Sequence, residues 1–299
     1  MTKLSLPLKT FGGKFYLAPS LCLLFPEHRH YVEPFFGGGS VLLAKDPNGV
    51  SEVANDIYGL LTNFWMVLAS PKLIDRFLSR VQLMPFCEKI WDDAYRHVNG
   101  PIDLSRGPSV RLAASFFTVC RQSRSGQCKS FASLSRERTR GGMNEQVSAW
   151  LSAVKNLPEV HKRLQRVVVY NRDALGVISS EDTPGTCFYC DPPYMHETRV
   201  ATNVYEHEMS ADQHRELLRL IRNVKGRVMI SGYRSPMYDK LLKDWNFDQL
   251  SISNHASGAK IKPTKTECIW MNYEPPMSWE EARALAKKKS GSKGERPAA

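Results

Sequence analysis

Apolar residues follow two spacings along this chain, one typical of β-strands and the other typical of helices. Short apolar runs predict five strands, at 28–32, 50–54, 167–170, 186–190 and 227–231. Helical spacing appears at 15–25, 211–224 and 235–242, and Ser210 with Gln213 predicts a capping box before the second of these helices. Runs at 247–252 and 267–273 predict two more strands, which we expect to be antiparallel.

The strand pattern stops between about residues 60 and 160. Helical periods replace it at 60–68, 73–81, 86–98, 110–119 and 146–157. Strands that alternate with helices predict an α/β fold with a Rossmann-like, mostly parallel sheet. We therefore expect a discontinuous α/β domain at 1–59 and 160–276, and an inserted helical subdomain at 60–159. The composition of 277–299, with its run of lysines, predicts a disordered basic tail.

One stretch combines a predicted buried strand with an unusual ending. The apolar and aromatic residues 186–190 are followed directly by Asp191-Pro192-Pro193-Tyr194. Two prolines prevent both ladder bonding and continuation as a helix, so they hold a carboxylate and an aromatic ring on a stiff turn. In open α/β sheets, ligands bind at the carboxyl ends of strands. We expect this turn to face a ligand.

Other candidate ligand residues follow the earlier strands. Glu33-Pro34-Phe35-Phe36-Gly37-Gly38-Gly39-Ser40 forms a glycine-rich turn between a predicted strand and a predicted helix, as in a nucleotide-binding first βα unit. No Walker lysine follows it, so a triphosphate is not favoured. Asp56 is placed to accept hydrogen bonds from ribose hydroxyls, or to cap the next helix. Asp173 follows the strand at 167–170, and we expect it either to face the same crevice or to cap the helix at 174–178. Lys9–Lys14, with its paired glycines, suggests a loop that closely approaches a ligand.

The chain has 299 residues and a formal net charge of +11, with a pI near 9.3. A basic balance of this size predicts a polyanionic partner, nucleic acid ahead of a membrane surface. The densest basic stretch of the globular part contains interleaved serines and glycines and is a candidate DNA or RNA loop, although a solvated charge run is the common alternative. Its candidate contact residues are Arg121, Arg124, Ser125, Gln127, Lys129, Arg136 and Arg138.

Seven cysteines, with no secretory signal at the N-terminus, indicate reduced thiols in a cytoplasm. Cys187 and Cys190 form a C-x-x-C pair, but no second pair has zinc-site spacing, so we expect buried structural thiols. No apolar run approaches the roughly 20 residues that span a bilayer.

The combination of Asp191 and Tyr194 on one stiff turn favours amine methylation. Paired carboxylates could also serve glycoside hydrolysis or magnesium-dependent phosphoryl transfer, but neither reaction needs an aromatic ring fixed to an aspartate. The Asp191 carboxylate and a neighbouring backbone carbonyl can accept hydrogen bonds from both N–H groups of an exocyclic amine. Tyr194 can stack on a base that has left the duplex. A sulfonium methyl donor would suit the acidic surroundings of the glycine turn.

These motifs, in this order, resemble the DNA adenine-N6 methyltransferases in which the glycine motif precedes the recognition domain and the catalytic motif. The matching stretches also include Asn55-Asp56, Asp173 and the closing segment 266–270. The resemblance implies S-adenosyl-L-methionine as cofactor, double-stranded DNA as substrate, a target-recognition role for 60–159, and a direct in-line transfer that needs no metal.

The resemblance also implies individual roles. Asp191, Pro192, Pro193 and Tyr194 would hold the target base, Asp173 would contact the cofactor's adenine, and Glu33 and the glycines its methionine side. The family usually has a tryptophan where this chain has Thr10, and Phe11 beside it can replace the ring. The implied cofactor residues are Thr10, Phe11, Lys14, Glu33, Phe35, Gly37, Gly38, Gly39, Ser40, Asp56, Asp173 and Asp191.

Three alternatives remain open at the level of sequence. The same chemistry could act on cytosine N4 or on an RNA adenine, although those enzymes commonly carry Ser or Asn in place of Asp191. The chain could be a catalytically silent DNA-binding protein that senses the methyl donor. A metal-dependent nucleotidase is the third alternative. A monomer suits an asymmetric site that acts on a single flipped base.

Overall fold

A computed structural model describes residues 4–9, 14–195, 207–253 and 264–291. Thr10 and Phe11, two of the predicted cofactor residues, lie outside the described residues. Their roles stay predictions.

Seven strands form one sheet. They are β1 (His30–Glu33), β2 (Ser51–Asn55), β5 (Val167–Tyr170), β6 (Thr186–Cys190), β7 (Arg227–Gly232), β8 (Asn246–Ser253) and β9 (Thr264–Met271). Their order across the sheet is β5-β2-β1-β6-β7-β9-β8. The pairs β1/β6 and β6/β7 are parallel, whereas β9 is antiparallel to both β7 and β8. The structure confirms the α/β, Rossmann-like fold class and the two antiparallel strands at the end.

Strand β6 is the most deeply buried strand of this sheet, because all five of its residues are buried. A continuous apolar run of this kind is what a parallel strand covered on both faces requires. Its neighbour β7 is buried from Val228 to Gly232. The helices that accompany these strands are α1 (Ala18–Leu24), α2 (Ser40–Ala44), α8 (Ala174–Ser180), α9 (Ala211–Ile221) and α10 (Pro236–Leu241). The predicted capping box of Ser210 and Gln213 is present at the start of α9.

Five helices follow β2 along the chain: α3 (Gly59–Ala69), α4 (Ile74–Gln82), α5 (Glu88–Val98), α6 (Val110–Gln122) and α7 (Glu145–Leu164). A short 3-10 helix at Arg124–Gly126 and a small hairpin, β3 (Thr139–Arg140) with β4 (Met143–Asn144), lie between α6 and α7. Aromatic rings join these helices: Phe64 of α3 stacks on Phe117 of α6 at 5.9 Å between centroids, and Trp150 of α7 lies 5.2 Å from Phe117.

The chain divides into two compact units. One contains the N-terminal segment up to Phe15 together with Phe36–Ala44 and Val53–Asn171, and the other contains Tyr16–Phe35, Lys45–Glu52 and the chain from Arg172 onward. The first therefore holds the glycine turn and α3 to α7, and the second holds β6, β7, β8 and β9. The division at 59/60 and 159/160 stays a prediction from sequence.

The expectation of disorder from residue 277 is wrong for Trp279–Gly291, which forms helix α11. Ser278 and Glu281 make a reciprocal cap, since Ser278 N donates to Glu281 Oε2 at 2.9 Å and Glu281 N donates to Ser278 Oγ at 3.3 Å. Trp279 and Ala282 are buried, and α11 packs against α1. The prediction from lysine-rich composition did not take into account the capping box of Ser278 and Glu281 or the buried side chains of Trp279 and Ala282, which favour a helix here.

Candidate active site

The Asp191–Tyr194 turn begins where buried strand β6 ends. Asp191 follows Cys190 directly, and its carboxylate is held from two sides. Ser231 Oγ donates to Asp191 Oδ1 at 3.0 Å, and the Tyr194 hydroxyl lies 3.1 Å from the same oxygen. Asp191 is half-buried, and Pro192, the next residue in the chain, is buried. The carboxylate therefore has a fixed orientation at the carboxyl end of the strand.

Tyr194 is fixed as firmly as Asp191. Only 7% of the residue is exposed, and its hydroxyl also contacts Glu267 Oε1. Its ring meets Tyr233 edge-on, with 4.6 Å between centroids. Burial, followed by the charges of Asp191 and Glu267, raises the pKa of Tyr194 well above its usual value, so the phenol keeps its proton at neutral pH. Stacking of a target base on this ring stays a prediction.

Two members of this cluster, Ser231 and Glu267, were not assigned a role from sequence. Cys190 of β6 pairs with Ile230 of β7, and Gly232 of β7 pairs with Cys268 of β9. This register brings Ser231 and Glu267 to the same edge of the sheet as Asp191. The sequence does carry a signal for them, since both are polar residues next to apolar strand residues. Their position beside Asp191 can be predicted only when the order and register of the strands are known.

The glycine turn is held by two side chains. Gly37 N donates to Asp56 Oδ2 at 2.8 Å, and Trp65 Nε1 donates to Gly37 O at 3.0 Å. Gly37 and Gly39 both have positive φ, +50° and +71°. A Cβ on Gly39 would meet the Phe36 ring at 2.8 Å, whereas a Cβ on Gly37 would enter open space. Glycine is therefore favoured at both positions, and of the two only Gly37 offers open space to a ligand.

The acidic residues near the strand ends have distinct local roles. Asp56 Oδ1 accepts from Tyr58 N at 2.9 Å, while Tyr58 itself is the N-cap residue of α3, so the alternative of Asp56 as that N-cap is wrong. Asp173 is the N-cap of α8 and accepts from Gly176 N at 2.9 Å, which confirms the capping interpretation. Contacts of either residue with ribose or adenine stay predictions.

Glu33 ends strand β1 and is 2% exposed. It accepts a hydrogen bond from the Tyr31 hydroxyl at 2.7 Å. Burial, followed by the Glu33 charge, raises the pKa of Tyr31 well above its usual value. Lys14 is buried, Phe35 is half-buried, and Ser40 is the first residue of α2.

The structure separates the predicted DNA-contact residues into two kinds. Arg121 lies in the last turn of α6, where one guanidinium nitrogen donates to Ala149 O at 2.8 Å and Nε is buried without a hydrogen-bond partner among the described residues. Burial lowers the pKa of Arg121 to about 10. Arg138 lies 3.7 Å from Glu145 at the start of α7. The predicted contact residues that follow α6 and are exposed are Arg124, Gln127, Lys129, Arg136 and Arg138.

The C-x-x-C pair is structural, as predicted. Cys187 and Cys190 are fully buried free thiols, and burial raises the pKa of Cys187 to about 12 and that of Cys190 still further. Among the described residues, no group of three or more His, Cys, Asp or Glu side chains could hold a metal ion. No helix in the described ranges is long and apolar enough to cross a membrane.

A mostly parallel sheet, a glycine turn after its first strand and a fixed Asp-Pro-Pro-Tyr turn after a buried strand are consistent with a Rossmann-like methyltransferase fold for this chain. Its family follows from comparison. The model of the D12 class N6 adenine-specific DNA methyltransferase family matches residues 11–256, and the chain belongs to this family. It is an enzyme that methylates the N6 amine of adenine in DNA, which excludes the nucleotidase alternative and decides for adenine over cytosine.

Individual relatives are more distant. The chain is 28% identical over 284 residues to the type II methyltransferase M1.LlaDCHI of Lactococcus lactis subsp. cremoris, covering 89% of this chain and 94% of that protein. It is 25% identical over 252 residues to the DNA N-6-adenine-methyltransferase of Escherichia phage P1, and this match covers 80% of this chain but 31% of the phage protein. A solved structure, precorrin 8w decarboxylase from Methanobacterium thermoautotrophicum, matches 84% of the chain and 84% of that protein at 12% identity, with a TM-score of 0.34.

Proposed function

We propose that this enzyme is a site-specific methyltransferase that acts on double-stranded DNA with S-adenosyl-L-methionine as donor, and that Asp191 receives the target amine. One observation supports this assignment above the others. The Asp191 carboxylate lies at the end of buried strand β6, where Ser231 and Tyr194 both bond to Oδ1. A carboxylate fixed in this way is pre-organised to orient a bound base.

The chemistry explains why such a carboxylate is useful. The lone pair of the adenine amine is conjugated into the ring, so the amine is a poor nucleophile. If the Asp191 carboxylate and the Pro192 carbonyl accept hydrogen bonds from its two N–H groups, the nitrogen gains sp³ character as the new bond forms. Pro193 stiffens the turn, and Tyr194 provides an aromatic surface for the extruded base. S-Adenosyl-L-methionine, when bound, supplies an electrophilic methyl group on a sulfonium.

The residues of the glycine turn fit such a donor. Gly37 leaves open space beside the backbone, and the charged side chain that fixes the turn is the carboxylate of Asp56, which suits a cationic ligand rather than a phosphate. We assign donor binding to Lys14, Glu33, Phe35, Gly37 to Ser40, Asp56, Asp173 and Asp191, with Thr10 and Phe11 as the family resemblance implies.

DNA recognition is assigned to the helical segment 60–159 and its exposed basic loop. We propose that Arg124, Ser125, Gln127, Lys129, Arg136 and Arg138 contact DNA, while Arg121 supports the loop from α6 because its guanidinium is bonded to Ala149. A monomer acting in the cytoplasm is the simplest form of such an enzyme.

The direct test is Asp191→Ala, assayed by transfer of a tritiated methyl group from the donor to DNA of a methylation-free bacterium. We expect transfer to fall by at least about 100-fold, because orientation of a reacting group contributes on this scale. Asp212→Ala is the matched control, since Asp212 is exposed in the first turn of α9. It should retain full activity.

Thermal unfolding of both variants must first show that they fold. A folded Asp191→Ala protein with undiminished transfer would falsify the assignment of the amine to this turn. Mapping of modified bases by single-molecule sequencing, in cells that express the wild-type enzyme, gives the recognised sequence. Modified adenines scattered without a common sequence would contradict site specificity.

A further inference from the structure

The Tyr194 hydroxyl has two carboxylate neighbours and only one proton. It lies 3.1 Å from Asp191 Oδ1 and in close contact with Glu267 Oε1. An ionised carboxylate is only an acceptor, so the hydroxyl can donate fully to one of them at a time. The other contact becomes a full hydrogen bond only when one of the two carboxyl groups gains a proton. The three groups therefore form a chain along which one extra proton can be accommodated.

Glu267 is a costly residue at this position. It lies on strand β9, paired with Leu250 of β8, and only 5% of it is exposed. The residues that follow it, Cys268 to Met271, are apolar and buried. Burial of a carboxylate costs several kcal/mol unless hydrogen bonds compensate. Packing of β9 against its neighbours does not require an acid, so the reason for Glu267 lies in what it contacts.

We propose that Glu267 is a positioning residue for methyl transfer, which acts through Tyr194 as the outlet for the amine proton. This inference rests on the proposed function, in which Asp191 receives the amine. The N6–carbon bond forms while the sulfur–carbon bond breaks. The electron pair of the broken sulfur–carbon bond stays on sulfur, and N6 becomes cationic. Asp191 accepts one N6 proton. Asp191 then donates to the Tyr194 oxygen while the Tyr194 hydroxyl passes its own proton to Glu267.

This sequence of transfers restores the site. After it, Asp191 is again a carboxylate, Tyr194 is again a phenol, N6 is a neutral methylamine, and Glu267 holds the proton until solvent removes it. Two features of the structure suit the relay. Tyr194 is buried next to negative charge, so its phenol is a carrier and not a lasting anion. On the other side, Ser231 donates to Asp191 and lies 3.2 Å from the Tyr189 hydroxyl, which keeps the carboxylate in place during the exchange.

Three variants test the inference: Glu267→Gln, Tyr194→Phe and the double variant. The glutamine substitution keeps the size and the hydrogen bond but removes the ability to accept a proton, and phenylalanine removes only the connecting hydroxyl. Kinetics are measured with tritiated donor on unmethylated bacterial DNA. We expect each single variant to lower kcat about 10-fold to 100-fold, within the range of acid–base effects. KM for DNA and the donor affinity by calorimetry should change less than about threefold, because neither variant removes a binding group.

The double variant separates a relay from a structural role. If Glu267 acts through Tyr194, its loss has no further effect once the hydroxyl is gone, so the double variant should be as slow as Tyr194→Phe alone. Losses that multiply would show that Glu267 acts independently and would overturn the proposal. Glu267→Asp should restore part of the rate. Glu274→Gln, at an exposed position just beyond β9, is the matched control and should leave kcat unchanged.

Failure of this inference is distinguishable from failure of the proposed function. Asp191→Ala alone tests the proposed function. An inactive Asp191→Ala enzyme together with a fully active Glu267→Gln enzyme rejects only the relay. If Glu267→Gln does not fold, Tyr194→Phe still decides, since an unchanged kcat in that variant removes the link between Asp191 and Glu267 from the mechanism.

Discussion

Gly37 and Gly39 lie two residues apart in one turn, but their surroundings differ. Both have positive φ, which costs an alanine roughly 1–2 kcal/mol. At Gly39 the new methyl group would also overlap the Phe36 ring, which packs against Trp65 at 5.0 Å. We expect Gly39→Ala to lower the free energy of unfolding by about 2–4 kcal/mol, the sum of the backbone strain and an overpacking cost. Denaturant unfolding measures it.

Gly37→Ala should separate stability from binding. The methyl group enters open space, so only the backbone strain of about 1–2 kcal/mol is expected in unfolding. That same space is assigned to the methyl donor, and calorimetry should therefore show donor affinity reduced by more than about tenfold in the folded variant. Unchanged donor affinity would remove Gly37 from the donor site. Gly49→Ala, at φ +73° and also in open space, is the control for strain without binding.

Elements with a strong apolar period were predictable from the sequence. Helices α3 to α6 lie within a few residues of their predicted positions, because each buries a regular stripe such as Ile74, Phe77 and Val81. Helix α7 extends to Leu164, beyond the predicted end at 157, although Pro158 lies inside it. Burial of Val160 and Leu164 compensates for the hydrogen bond that proline cannot donate.

The candidate site was predictable only where it is local in sequence. Asp191 to Tyr194 and the glycine turn can be recognised from sequence by their residue types, including the two prolines, and by their position after a predicted strand. Ser231 and Glu267 do not, because their roles depend on a register between strands that are far apart in the chain. The same limit applies to Arg121. As an arginine in a basic stretch it is a candidate for DNA contact, but α6 packs against α7 and the Arg121 guanidinium donates to Ala149 O.

The last turn of α6 and the loop that follows it each contain one arginine of a matched pair, Arg121 and Arg124. Arg121→Ala removes the bond to Ala149 from a mostly buried guanidinium, and we expect the free energy of unfolding to fall by about 1–3 kcal/mol. Arg124→Ala removes an exposed side chain, so stability should change by less than about 0.5 kcal/mol. DNA affinity should respond more strongly to Arg124→Ala once both proteins are folded. Thermal unfolding and fluorescence anisotropy with labelled duplex DNA measure the two effects.

The opposite pattern would reassign the pair. Wild-type stability in Arg121→Ala, combined with lost DNA affinity, would make Arg121 a DNA-contact residue despite its bond to Ala149. Arg215→Ala on α9 is the control for removal of one positive charge, because its guanidinium is paired with Asp212.

At the scale of the whole molecule, the excess of 41 Lys and Arg over 30 Asp and Glu contributes to the affinity of the enzyme for DNA and to the rate of their association. A positive net charge favours association with any duplex, whatever its sequence, and it accelerates encounter. The exposed loop residues Arg124, Lys129, Arg136 and Arg138 concentrate part of that charge in one segment. Acids in the same loop are few, with Glu137 between two of the arginines.

This charge predicts a steep dependence of DNA affinity on salt. Each phosphate neutralised by a Lys or Arg contributes about −0.9 to the slope of log K against log salt, because condensed counterions are released. If Arg136 contacts a phosphate, Arg136→Ala should make the slope shallower by about 1 and weaken binding equally on every duplex. Arg219→Ala, exposed on α9 and outside the loop, should leave the slope unchanged. Equal slopes for wild type and Arg136→Ala would exclude that contact, and a loss confined to the methylated sequence would instead assign Arg136 to a base edge.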